Sequence, residues 1–206
     1  PRGKTLGGSS SINGLLWVRG QSEDYNIWRQ LGNTGWGWND VLPYFLKSEN
    51  NELGKSEFHN DSGPITVANK KINLKLLDEF QNAAEEYGIP KTNDFNTGDN
   101  TGIGFFQFTT SFNKPGLKLR CSAAKGYLNP AKKRSNLKIV VNAHVQKINF
   151  EGKKAIGASY YNGDKLIEVK ANKEVILSSG AIGSPHILQV SGIGNKEKLN
   201  KHGIDI

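Results

Sequence analysis

Methionine is absent from this sequence, cysteine occurs once, and no apolar run is long enough to cross a bilayer. A single thiol excludes an internal disulfide framework and any cysteine-rich metal site. The longest apolar stretches fall well short of the roughly 18 residues that a membrane helix needs. Four histidines, His59, His144, His186 and His202, are dispersed with no cysteine beside them, so no metal set is expected. No charged-then-apolar leader opens the chain, as a secretory signal would. The composition also excludes collagen, coiled coil and wholesale disorder.

What is present suits a globular chain of one domain, or one and a half: 206 residues, 36% hydrophobic and 22% charged. Lys and Arg number 27 against 19 Asp and Glu, a net charge of +8. The basic residues are spread out. The densest run, Lys132-Lys133-Arg134, lacks interleaved aromatics and reads as a solvated surface, so no nucleic acid partner is expected.

Local patterning divides the chain in two. Residues 3–14 are small and polar and read as a loop leading into Leu15–Arg19. Short helices are expected over 22–31, capped by Ser22, and from Asn39 or Asp40 through Lys47. Residues 50–63 read as loop and Pro64–Val67 as a short strand. The clearest helix spans 73–88. Asn73 is its cap, Leu74, Leu77, Phe80, Ala84 and Tyr87 share one face, and Gly88 and Pro90 end it. Gly104–Ser111 carries a strand signal, and Ser122–Leu128 reads as a helix stopping before Pro130. From Leu137 onward the pattern becomes β. Leu137–Val141 alternates, and Val145–Phe150, Ala155–Tyr161, Lys165–Val169 and Glu174–Ser178 follow at close spacing. Gly152 and Asn162-Gly163 mark the turns, so an antiparallel meander is expected. A last helix is expected from Ser184, with Pro185 at its first position, to Ser191-Gly192.

Chemistry concentrates in two glycine clusters at opposite ends of the chain. Gly7, Gly8, Ser9 and Ser10 offer backbone donors with little bulk. Gly180, Ala181 and Gly183 stand just before a helix, where N–H groups and the helix dipole favour an anion. Nothing precedes the first loop to position it, so the chain is expected to be an internal piece of a longer protein.

Each cluster belongs to a longer pattern. Gly3-Lys4-x-Leu6-Gly7-Gly8-Ser9-Ser10-x-Ile12-Asn13 continues to Trp17, Gly20 and Asn26. The second reads Gly180-Ala181-x-x-Ser184-Pro185-x-Ile187-Leu188-x-x-Ser191-Gly192-Ile193-Gly194. These resemble the two signature motifs of the glucose–methanol–choline (GMC) family of flavin oxidoreductases, in the same order. Arg120, Ser122, Ala124 and Tyr127-Leu128 are similar to that family's internal Arg-x-Ser-x-Ala-x-x-Tyr-Leu stretch. Trp17-Val18-Arg19-Gly20-x-x-x-Asp24-Tyr25-x-x-Trp28 resembles the bacterial choline and alcohol dehydrogenase branch. So does Gly35-Trp36-x-Trp38-x-Asp40-Val41-Leu42-Pro43-Tyr44-Phe45.

The resemblance implies a mixed α/β (α+β) fold: a Rossmann-like FAD-binding domain with an inserted β-meander, plus part of an antiparallel-sheet substrate domain. By similarity, 1–64 and 115–206 belong to the flavin domain and 65–114 to the substrate domain. Thr5, Gly7, Gly8 and Ser9 match the stretch along the flavin pyrophosphate and ribityl chain. Asn13, Gly14, Leu15 and Leu16 match the stretch passing the isoalloxazine ring. Val145 matches a valine whose main chain meets the adenine side, and Gly180 and Ala181 match the return to the adenosine. Ile12 stands where some members attach flavin through a histidine, so FAD is expected to be noncovalent.

The implied reaction is oxidation of an alcohol, choline or another primary alcohol, with hydride passing to the flavin. Electrons would leave to a quinone, a carrier or oxygen, which leaves dehydrogenase and oxidase open. The family's catalytic histidine is expected beyond residue 206, so no catalytic residue is assigned here and residues 1–206 alone are expected to be inactive. Cys121 is expected to be a packed thiol. A lyase or a non-catalytic flavin scaffold is the alternative. The expected location is cytoplasmic, with peripheral attachment to the inner membrane compatible with quinone reduction.

Overall fold

The computed structural model describes residues 1–69, 74–111 and 119–206. They form two compact units, Pro1–Leu137 and Lys138–Ile206.

In the first unit the glycine-rich segment tightens into one 3-10 turn, Gly8–Ser11, and leads into strand β1 (Leu16–Trp17). Helix α1 (Ser22–Gln30) begins one residue earlier than a Ser22 cap would give. Gln21 is the cap, and its N–H donates to Asp24 Oδ2 at 2.8 Å. Helix α2 (Trp38–Ser48) starts the same way, with the Gly37 N–H donating to Asp40 Oδ2 at 3.0 Å. In both, an acid at the third helical position reaches back to the cap backbone, so Ser22, Asn39 and Asp40 are not the caps.

Strand β2 (Glu49–Asn51) falls where a loop was expected, and it pairs in parallel with β3 (Ile65–Val67). Helix α3 (Lys75–Glu86) is shorter than 73–88 and is capped at Leu74. Asn73, the expected cap, lies outside the described residues. Of Gly104–Ser111 only β4 (Gln107–Phe108) is strand, antiparallel to β1 with Leu16 opposite Phe108. The expected 122–128 helix is a π-helical turn, Ala124–Leu128. It does not stop before Pro130 but runs into α4 (Asn129–Ala131), whose first turn tolerates a proline. Ile65, Val67 and Cys121 pack into a small core with Trp17 against it.

The second unit is built on a three-stranded antiparallel meander, β5 (Ala143–Glu151), β6 (Lys154–Asn162) and β7 (Lys165–Lys170), in that order. Glu151 faces Lys154 and Asn162 faces Lys165, so each hairpin closes over two residues, at Gly152 and at Gly163. Leu137–Val141 forms no strand, and Ile139, Val140 and Val141 remain exposed. Glu174–Ser178 likewise has no strand partner among the described residues. Alternation alone does not make a strand where no segment pairs with it. Helix α5 (Gly180–Val190) starts four residues before the expected Ser184, which places Gly183 and Pro185 inside it. The Ser179 N–H donates to Ser184 Oγ at 2.9 Å, closing that first turn. Helix α6 (Lys196–Asn200) follows, capped by the Asn195 side chain, which accepts from the Lys198 N–H at 3.0 Å. No helix of the described residues is long and apolar enough to cross a membrane.

Candidate functional site

The first unit gathers Thr5, Gly7, Gly8, Ser9, Asn13, Gly14, Leu15 and Leu16 into one continuous loop. The Gly8 N–H donates to Thr5 O at 2.9 Å, and Ser9 O accepts from Ile12 and Asn13 at 3.1 and 2.9 Å. Ser9 Oγ accepts from the Gly3 N–H at 3.3 Å. Two serines fold inward instead. Ser10 Oγ donates to Gly7 O at 2.5 Å and Ser11 Oγ to Leu6 O at 2.8 Å. Gly7 needs to be glycine on two counts. Its φ is +89°, and a Cβ there would lie 2.5 Å from Ser11 Oγ and 3.0 Å from Ala124 Cβ.

That second clash identifies the floor of the loop, the segment Arg120–Ala124. The Ala123 N–H donates to Ser10 Oγ at 2.9 Å, and Arg120 Nη1 donates to Ser10 O at 3.2 Å and to Asn13 Oδ1. The internal motif therefore supports the first motif directly. On its other side the loop is open. A Cβ at Gly8 or Gly14 would meet nothing within 4 Å among the described residues. The loop ends at Leu15, a non-glycine residue at φ +71°, followed by half-exposed Leu16 in β1.

Beyond the loop, a buried polar network fixes the chain, and sequence reasoning missed it. Arg19 pairs with Glu49, donates from Nη1 to Phe58 O at 2.7 Å and Asn96 O at 3.0 Å, and stands 5.3 Å from the Phe45 ring centroid. His59 bridges two carboxylates, with Nδ1 2.7 Å from Glu49 Oε1 and Nε2 2.7 Å from Asp94 Oδ2. Asn96 Oδ1 accepts from the Arg19 N–H at 2.8 Å, while Asn96 Nδ2 donates to Trp17 O and Gln107 Oε1, both at 3.2 Å. Burial disfavours the His59 imidazolium, yet the hydrogen bonds and charges of Asp94 and Glu49 outweigh it and raise its pKa to about 9. The same balance holds Asp94 below its ordinary value: burial opposes ionisation, and His59 and the Asn96 N–H overcome it. Burial lowers the Arg19 pKa, against the attraction of Glu49. The sequence signal was there in the His, Asn, Asp and Glu crowded into 49–61 and 93–100, but polarity alone reads as loop.

In the second unit a cavity of about 490 Å³ opens between β5 and α5. Val145 lines it with His144, Tyr161, Ser179, Gly183 and His186 among others. Gly180 and Ala181 occupy the first turn of α5, between Ser179 and Gly183. Gly180 has φ +84°, the left-handed entry that lets the chain turn into the helix. The helix is tied to the sheet by Ser191, whose Oγ accepts from the Ile148 N–H at 2.9 Å and donates to Ile187 O at 2.5 Å. His144 and His186 both line this cavity. His59 is structural and buried, and Cys121 is a packed thiol, 4% exposed.

The family description "GMC oxidoreductase", N-terminal region, matches residues 1–204. Human mitochondrial choline dehydrogenase is 42% identical over 206 residues, covering all of this chain and 34% of that protein. An oxygen-dependent choline dehydrogenase of Pseudomonas savastanoi pv. phaseolicola is 43% identical over 209 residues, covering all of this chain and 36% of that protein. Among solved structures, an FAD-dependent oxidoreductase from Chaetomium thermophilum superposes with a TM-score of 0.90 at 34% identity, covering 100% of this chain and 37% of that one. The chain thus spans about a third of the length of the curated relatives it matches. With a family match over nearly every residue and a shared mixed helix-and-sheet fold, the chain belongs to the GMC oxidoreductase family.

Proposed function

We propose that this chain provides part of the FAD site of an oxidoreductase that oxidises the CH–OH group of an alcohol, choline or another primary alcohol, to the aldehyde. The observation that carries the reading is the loop 5–16. Its inner side is pinned to Arg120–Ala124, and its outer side is bare at Gly8 and Gly14. A pyrophosphate needs such a surface, with backbone donors and no side chains in the way. Thr5, Gly7, Gly8 and Ser9 would hold the pyrophosphate and ribityl chain, and Asn13, Gly14, Leu15 and Leu16 the ring. The cavity beside Val145, Gly180 and Ala181 is large enough for an adenosine moiety. In this reading residues 1–64 and 115–206 serve the flavin and 65–114 the substrate side.

When bound, FAD supplies the acceptor, at flavin N5, for hydride from the carbinol carbon. The chain's own part is to fix the cofactor and keep its surroundings preorganised. No proton acceptor is assigned among its histidines, and His59 has both ring nitrogens held by carboxylates. Ile12 offers no nucleophile, so the FAD is noncovalent. Acceptor and location go together: a quinone suits attachment at the inner membrane surface, whereas a soluble carrier or oxygen suits the cytoplasm.

The test is to purify the gene product carrying this chain, precipitate it with acid and assay both fractions for flavin. All flavin is expected in the supernatant, and choline or a primary alcohol should bleach the native protein's flavin absorbance anaerobically. Absence of flavin would overturn the cofactor reading. Flavin that no alcohol bleaches would overturn the reaction.

A further inference from the structure

We propose that Arg120 is a positioning residue for the flavin ring, acting through Asn13 to hold Leu15 in its left-handed conformation. The inference rests on the reading of residues 13–16 as the stretch beside the ring. Leu15 has φ +71°, a region that a branched side chain enters only at a cost. Such a conformation persists when neighbours over-determine it, and here they do. Leu15 O accepts from the Thr109 N–H at 2.8 Å and from Thr109 Oγ1 at 3.1 Å. The Leu15 N–H donates to Asn13 Oδ1 at 3.1 Å. Asn13 Oδ1 accepts in turn from Arg120 Nη1, which also holds Ser10 O at 3.2 Å.

The arrangement closes on itself. Thr110 is bridged to Arg120, and the Cys121 N–H donates to Thr109 O at 2.8 Å. The segment Thr109–Thr110 that holds the Leu15 carbonyl therefore also fixes the backbone beside the arginine that holds Asn13. Arg120 and Asn13 are 107 residues apart, so the bond is a tertiary constraint and not a feature of the loop's own sequence. A hydrogen bond from a guanidinium is stronger than a neutral one, which suits it to holding a strained residue. Without it, Asn13 keeps only its short-range contact, and residues 13–16 lose their fixed course.

The experiment uses the gene product carrying this chain, as Arg120→Ala, Arg120→Lys, Asn13→Leu and the Arg120→Ala/Asn13→Leu double variant. Bound FAD is quantified, and the flavin is equilibrated with a reference redox dye. Arg120→Ala and Asn13→Leu are each expected to retain FAD and to shift the oxidised-to-reduced equilibrium about tenfold in the same direction. The double variant should shift it no further than either single one, and Arg120→Lys should recover part of the effect. An unchanged equilibrium in Asn13→Leu, or additive shifts in the double variant, overturns the proposal. Should Arg120→Ala fail to fold, Asn13→Leu carries the same test, because it removes only an exposed amide. A wild-type protein without flavin would instead overturn the underlying cofactor reading.

Discussion

Raising the pH should loosen the polar core of the first unit, and the amount can be worked from His59. Its side chain is 5% exposed, and both nitrogens face carboxylate oxygens at 2.7 Å. In the folded chain its pKa is about 9, against an ordinary 6.5. Folding therefore favours the protonated form. The stability it contributes is fully present below pH 6.5 and is lost as the pH rises through about 9. Two and a half pH units correspond to about 3 kcal/mol, or a few hundredfold in a local opening constant. The assay is hydrogen exchange at segment 49–61, where the Asn51 N–H is bonded to Asn60 O at 2.7 Å. Protection, corrected for the intrinsic rate, should fall by about a hundredfold between pH 6.5 and about 9.5, the rest of the change lying outside that window. In His59→Gln, protection should be lower at pH 6.5 and nearly flat across the same range, since Asp94 has lost its cation and Glu49 keeps only Arg19. Parallel pH profiles in the two proteins would refute the assignment, because the remaining titrating groups are common to both.

Two further outcomes follow from the packing. Gly7→Ala should destabilise the first unit by about 1–3 kcal/mol, from positive φ and the contact with Ala124 together, and should lower the flavin-to-protein ratio; thermal melting and absorbance check both. Cys121 should react with an aromatic disulfide reagent only at the rate of local opening, since it is buried with Ile65 and Val67 and its Sγ accepts from the Thr66 N–H at 3.4 Å; prompt labelling of the native protein would contradict the packing.

What could be read from the sequence was whatever the physics keeps local. The hairpins at Gly152 and Gly163 are set by residues within two positions of the turn, so the meander was legible. The family motifs were legible because they are contiguous. Strand β2 was not. Glu49, Asn50 and Asn51 have poor strand propensity, and they adopt it because Glu49 and Asn51 are buried among Arg19, His59 and Gln107. The start of α5 was misjudged because Pro185 suggested a first position, whereas the left-handed Gly180 sets the true entry. Leu137–Val141 and Glu174–Ser178 show the opposite error, a strand pattern without a partner among the described residues. Of the candidate site, the residues of each glycine motif are those to which the sequence points. The support from Arg120 and Ala123 to Ser10 and Asn13 was not legible, since nothing in a linear reading pairs positions 107 or more apart.

The separations within the Arg19 network also bear on the order in which the chain assembles. Its bonds join Arg19 to Glu49 and Asn96, across 30 and 77 residues, while the β5–β6–β7 hairpins close over two. Loop-closure entropy must be met before a distant contact returns anything, so the meander can form early and the Arg19 cluster only once much of the first unit has already come together. Pulse-labelled exchange during refolding should protect the β6 amides ahead of those at Asn51 and Arg19; simultaneous protection would mean that the two units fold as one. On this account the buried charges act as a lock set late on a nearly finished structure, and they contribute nothing to its nucleation.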